Sequence, residues 1–261
     1  MEVQIKTKKQ NKMNKFFNLQ VRPTILPSLQ TSAFGDGDVL ADWFAFDIPN
    51  GGNRLLAGSM TTKSTDGIKQ THAATVLFAK DIDGVAPGSL GTVNATANGT
   101  QFKNNIIGFL GTEEVDGDIV TELDTITVQR LNEHATSFKS VRHPNLVLQG
   151  EPNTGTLKGF SRIYVGILSA DGDPSFASTV QCDGIQAVGT QTLTVKTTSA
   201  LTNFGAGDVL FDEDDRLLGT VKSVDSATVV TLTGTGLQNA TVNNKDVYVQ
   251  APMISNLSFE R

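Results

Sequence analysis

The chain has 261 residues, 38% of them hydrophobic, and a net charge of −6. Charged residues make up only 18%, and 25 glycines together with Thr, Asn and Ser fill the difference. The acidic balance argues against a general nucleic-acid binder, which carries a basic face, and the turn- and strand-forming polar residues favour an all-β chain over a helical one.

The first 15 residues carry Lys6, Lys8, Lys9, Lys12 and Lys15 against one acid, Glu2. They read as a solvated basic tail, and Met13 reads as an alternative start. No apolar block precedes a small-residue cleavage site, so no secretory signal is expected. No apolar run approaches the ~18–20 residues that span a bilayer.

Residues 16–33 (FFNLQVRPTILPSLQTSA) are apolar, but Pro23 and Pro27 forbid a helix interior and remove backbone donors. This segment reads as an extended arm without regular structure. Its Phe16, Phe17, Leu19, Val21, Ile25, Leu26 and Leu29 need a surface to lie on. A neighbouring subunit is the favoured surface, because exchanged arms lock symmetric assemblies.

Residues 39–48 (VLADWFAFDI) read as a strand that is apolar on both faces. Leu40, Phe44, Phe46 and Ile48 line one face, and Val39, Ala41, Trp43 and Ala45 the other. Such a strand needs cover on both sides. Further strands are expected at 54–62, 73–79, 105–110, 125–130, 145–149 and 161–168. Turns such as Asn50-Gly51-Gly52, Asp83-Gly84 and Asn98-Gly99 separate them. Residues 84–100 are small and polar and read as a protruding loop. A sharp turn at 169–174 (SADGDP) places a boundary, after which 192–195, 209–212, 217–224, 228–233 and 246–249 read as short strands of a small barrel. Residues 253–259 (MISNLSF) can add a closing strand, back onto the first domain. The organisation expected is an arm (1–33), a jelly-roll-like β-sandwich (34–175) and a small β-barrel with the C-terminal strand (176–261).

The heptapeptide FGDGDVL at 34–40 recurs as FGAGDVL at 204–210. Each copy is a Gly-rich turn launching a strand. The segments that follow are unequal, so a full duplication is not indicated.

Residues suited to catalysis or metal binding are scattered. His72, His134 and His143 lack metal-ligand spacing, and no GxSxG elbow, Walker or Rossmann glycine pattern occurs. Cys182 is the single cysteine, which excludes an intrachain disulfide and reads as a buried strand thiol. Acidic groups gather at Asp36 and Asp38, at Asp81 and Asp83, at Glu113, Glu114, Asp116 and Asp118, at Asp171 and Asp173, and at Asp212, Glu213, Asp214 and Asp215. None follows the EF-hand pattern, and turns explain them. Glu113 and Glu114 with Asp118 are the only carboxylates offered as a glycosidase pair, and a solvated loop is the preferred reading. No catalytic residue, cofactor or metal is expected, and the chain is not read as an enzyme.

Two stretches carry a resemblance. Residues 192–249 (TLTVKTTSALTNFGAGDVLFDEDDRLLGTVKSVDSATVVTLTG…NNKDVYV) resemble a small β-module of tailed-bacteriophage virion proteins. The upstream FGDGDVLADWFAFDIP and QTHAATVLFAKDIDGVAPGSLGTVNAT are similar in style to virion structural proteins of T4-like marine phages of cyanobacteria. The resemblance implies a structural role in the virion, assembled in the host cytoplasm. The partners would be the major capsid or other virion proteins, with self-association, a trimer being the expected form. It implies neither a membrane nor a specific nucleic acid. A capsid-decorating protein is the first expectation, working through the arm residues above and Trp43. A carbohydrate- or receptor-binding module of a fibre or tail is the alternative.

Overall fold

The computed structural model describes residues 15–63, 72–112, 120–123, 126–132, 144–170, 176–196 and 200–261. The elements of the first half are β1 (Phe16–Val21), α1 (Pro27–Gln30), β2 (Val39–Pro49), β3 (Asn53–Lys63), β4 (Ala74–Lys80), β5 (Ile106–Thr112), β6 (Val120–Leu123), β7 (Ile126–Arg130), β8 (Leu146–Leu148) and β9 (Phe160–Ser169). Those of the second are β10 (Thr192–Thr194), α2 (Ala200–Asn203), β11 (Val209–Asp212), β12 (Leu217–Val224), β13 (Val229–Leu232), β14 (Val247–Val249) and β15 (Met253–Glu260). The chain is all-β, with antiparallel sheets.

A four-stranded sheet runs β2-β9-β4-β5, and a six-stranded sheet runs β1-β15-β3-β7-β6 with β8 also on β3. Alternation puts Ile163, Val165 and Ile167 of β9 and Val76 and Phe78 of β4 in one core, shared with Leu55 and Met60 of β3 and Leu257 and Phe259 of β15. A five-stranded sheet, β10-β13-β12-β11-β14, closes over its own core of Leu193, Leu210, Leu218, Val221, Val230, Leu232 and Val249. The chain leaves the first unit after β9, builds the small unit, and returns as β15. The small unit is therefore an insertion within the larger one.

Three local expectations are corrected. The arm has regular structure: Phe16–Val21 is a strand paired residue for residue with β15, and the prolines fall after it, where they need no ladder partner. The faces of β2 do not alternate through its length. Its register to β9 shifts between Val39 and Ala41 and again between Ala41 and Phe44. Each irregularity turns the following side chains, so Leu40 and Ala41 are both buried while Phe44 is 40% exposed. Finally, the loop after β4 does not protrude throughout. Leu90 and Phe102 are buried with Val39, and Trp43, Leu77 and Leu168 pack against them. Two large apolar residues in an otherwise small, polar loop lay it over the outer face of the four-stranded sheet.

The heptapeptide echo is the same turn twice. Gly35 O accepts from Asp38 N at 3.1 Å, and Gly205 O from Asp208 N at 3.1 Å. The aspartate carboxylates accept from Gly35 N (2.7 Å) and Gly205 N (2.8 Å). Gly37 and Gly207 take φ of 80° and 90°, the left-handed value this turn demands of its third residue. Phe34 and Phe204 are buried ahead of each turn.

His72 is 5% exposed ahead of β4, its ring edge-on to Phe176 at 5.7 Å. Burial lowers its pKa from 6.5 to about 4. The neutral form is held in the folded chain, so the unfolded chain takes the proton first on acidification. Stability is expected to be full above pH 6.5 and to fall by up to about 3 kcal/mol as pH drops towards 4. Denaturation midpoints across that range check this, and His72→Gln should flatten the decline.

Gly166 of β9 has no room for a Cβ, which would collide with Leu90 and stand 3.0 Å from the Trp43 ring. Gly166→Ala is expected to lift the loop at a cost of about 1–3 kcal/mol. Trp43 is the single tryptophan, so a red shift of its emission reads the displacement directly.

Candidate functional site

The predicted contact residues divide into two separate places. The arm lies on its own chain. Val21 and Ile25 are buried in the sandwich core, with Phe17, Leu19 and Leu29 packed against it. The Phe17 ring stacks on Phe259 at 5.1 Å and 12°. Phe16, 57% exposed, and Leu26 keep their surface open. Trp43 sits on the other sheet: its Nε1 donates to Gly88 O at 2.8 Å, and its ring meets Phe102 edge-on at 5.4 Å. The structure does not bring it together with the arm.

Beyond β1 the arm is a strap between the two units. Ile25 N donates to Gln250 O (2.9 Å), and Gln250 Nε2 donates to Thr24 Oγ1 (2.9 Å). The buried Gln30 donates to Val249 O, and Ser28 N and Oγ both donate to the Asp215 carboxylate at 2.9 and 2.7 Å. At the end of β3, Lys63 N donates to Pro252 O, and the Lys63 ammonium pairs with Asp208. Both charged side chains are more than four-fifths buried, at 15% and 13% exposure. Sequence reasoning did not find Ser28, Gln30, Lys63, Asp208 or Asp215. The one signal available was the second heptapeptide, whose aspartate caps its turn and also meets the lysine.

The outer face of the six-stranded sheet carries a polar band beside an aliphatic one, Ile254, Val128 and Ile126, which the register puts on the same side. Register aligns Gln20, Asn256, Ser59 and Arg130 across β1, β15, β3 and β7. Gln20 Nε2 donates to Asn256 Oδ1 at 2.9 Å, and Arg22 Nε donates to Gln20 Oε1 at 2.7 Å. Small residues, Ala57, Gly58, Ser59 and Ser258, leave a depression of about 330 Å³ there, edged by Arg130, Asn132 and Pro144. Gly58 is required, since a Cβ would stand 2.8 Å from Leu131. At one end of the face Lys15 and Arg54 pair with Glu260 at 2.7 and 2.6 Å, and Lys15 Nζ lies 5.1 Å from the Phe16 ring.

The titratable groups have structural partners. Asp81 accepts from the Tyr164 hydroxyl at 2.6 Å, and burial with this bond pushes the Tyr164 phenol up to about 12. Asp212 is buried, accepts from Asp214 N and Arg216 N, and pairs with the Arg216 guanidinium. Glu213 pairs with Lys245, whose ammonium holds the carboxyl below its usual range. Burial first, then Asp212, pushes the Cys182 thiol up to about 12, so it stays protonated at neutral pH. Among the described residues no three His, Cys, Asp or Glu side chains are grouped for a metal. His134, His143, Glu113, Glu114, Asp116, Asp118, Asp171 and Asp173 lie outside the described residues.

The fold therefore defines an all-β chain with an inserted small β-unit and a sheet face that carries a polar band. No protein-family model matches it, and no relative is found among curated proteins. No helix of the described residues is long and apolar enough to cross a membrane.

The twin turns offer an internal control for the strap. Asp38→Ala removes a turn cap and a long contact to Thr96 but no ion pair, and is expected to cost about 1 kcal/mol. Asp208→Ala removes the same cap and leaves the largely buried Lys63 without its counter-charge, for about 3 kcal/mol or more. Urea denaturation of the two variants measures the difference.

Proposed function

We propose that this chain is a structural virion protein that decorates a phage capsid through protein–protein contacts. The observation that carries the reading is the outer face of the six-stranded sheet, where a band of amides and hydroxyls lies beside aliphatic residues and no other described strand pairs over it. A flat face of this kind suits a partner surface of roughly 1,000 Å² or more, with Arg130 and the depression as its centre and a polar, wet rim. The low charge and the virion-like sequence phrases support the same reading. Self-association, as a trimer or otherwise, belongs to this proposal. Contact through the arm is narrowed by the packing of Val21 and Ile25, which leaves Phe16 and Leu26 as its available apolar residues.

The fibre or tail alternative, sugar binding, has less to stand on. Trp43 is held beneath the loop after β4 and offers no open ring face beside the depression.

Ser59→Trp fills the depression without touching the core. It is expected to weaken co-sedimentation with phage heads at least about tenfold while the circular dichroism is unchanged. Unaltered binding, or a strong signal on a glycan array for the unmodified chain, would overturn the proposal.

A further inference from the structure

We propose that β1 pairs edge to edge with β1 of a second copy of this chain, about a two-fold axis at Asn18, joining two six-stranded sheets into one. Hydrogen-bond parity sets the edge. Arg261 N donates to Lys15 O at 2.9 Å, and Phe16 stands opposite Glu260. Lys15 and Arg261 are therefore a hydrogen-bonded pair. Alternation then turns the backbone groups of Phe17, Leu19 and Val21 towards β15, and those of Phe16, Asn18 and Gln20 outwards.

Among the described residues nothing pairs with that outer edge. It also lacks the usual protections. β1 has no Pro, Gly or charge over its six residues, and its register to β15 has no bulge. By contrast, the edge strand β2 has two register shifts, and β10 and β14 are three residues each.

A second β1 fits this edge. Set antiparallel about Asn18, it places its Gln20 opposite Phe16, its Asn18 opposite Asn18, and its Phe16 opposite Gln20. These are the residues whose backbone groups are free, so each pair exchanges both of its bonds. Even positions meet even positions, so both outer faces stay on the same side of the joined sheet. On the inner side Phe17 meets Leu19 of the second copy. Both are only partly buried in the single chain, and the join covers them. Lys15 brings no unpaired charge to the axis, because Glu260 holds it. The contact is smaller than the roughly 1,000 Å² of a stable interface, so the dimer is weak and reversible. It depends on the edge alone, with or without a role in a particle.

Sedimentation velocity of the full chain tests the pairing. The wild type is expected to move reversibly from monomer towards dimer as it approaches millimolar concentration. Asn18→Asp sets two carboxylates face to face at the axis, and Asn18→Lys sets two ammonium groups. Each variant alone is expected to self-associate about tenfold more weakly. Mixed in equal amounts, they should associate again as a heterodimer, which damage to the fold would not produce. A wild type that stays monomeric at millimolar concentration, a dimer indifferent to both variants, or a mixture no tighter than its components overturns the pairing.

Discussion

The position of β15 between β1 and β3 is the constraint on which the structure depends. Met253, Leu257 and Phe259 point inwards from it and are completely buried. The same strand offers one edge to the arm and the other to β3. Remove it and the sandwich core loses its centre, the arm loses its ladder, and the small unit loses the segment that returns its chain. The contact is also very non-local: Met253 stands opposite Thr62 and Phe16 opposite Glu260. Closing so long a loop costs entropy before any burial compensates it. The inserted unit is thus the natural first folder, since its pairings span far fewer residues than that of β15 with β3 and its core is its own.

Much of this fold was legible in the sequence, because period-2 alternation and turn residues mark strands locally. Residues 161–168 are the clear case: Ile163, Val165 and Ile167 point inwards and Gly166 points out under Leu90. Three features were not legible, each for a physical reason. Residues 16–21 alternate, but Pro23 and Pro27 nearby masked the strand. In residues 39–48 the irregularities depend on the partner strand, so no pattern within the segment reveals them. The loop after β4 looked polar because its cover is made chiefly by Leu90 and Phe102, with Val93 and Ala97 beside them, and their target, the outer side of β4 and β9, is known only once the sheets are assembled. The candidate site was less legible still. A band of Asn, Gln, Ser and Arg on an outer sheet face resembles any solvated surface until register shows that these residues adjoin.

The repeated heptapeptide shows how one local solution serves two ends. Glycine in the left-handed region and an aspartate reaching back to the turn's first N–H make a tight entry to a strand wherever they occur. In the first copy Asp38 looks towards Thr96 of the covering loop, at 3.5 Å. In the second, Asp208 meets Lys63 and braces the inserted unit. A turn that recurs for conformational reasons acquires its second function from what stands across from it. That is why the echo marks one turn used twice.

The burial of the arm also changes the energetics of any assembly this chain joins. An arm free to leave would bring Val21, Ile25 and Leu29 to a partner as a large apolar contribution; held against the core, it brings Phe16, Leu26, the partly buried Phe17 and Leu19, and a backbone edge. Of the contacts proposed above, the short strand edge is a weak one by itself. On the capsid reading proposed above, weakness of the single contact is no obstacle. A particle presents many copies of its surface, and a chain held at two points rebinds at high effective concentration. Affinity then comes from the number of contacts and specificity from the register of the face. The buried arm keeps Val21 and Ile25 out of water in the single chain.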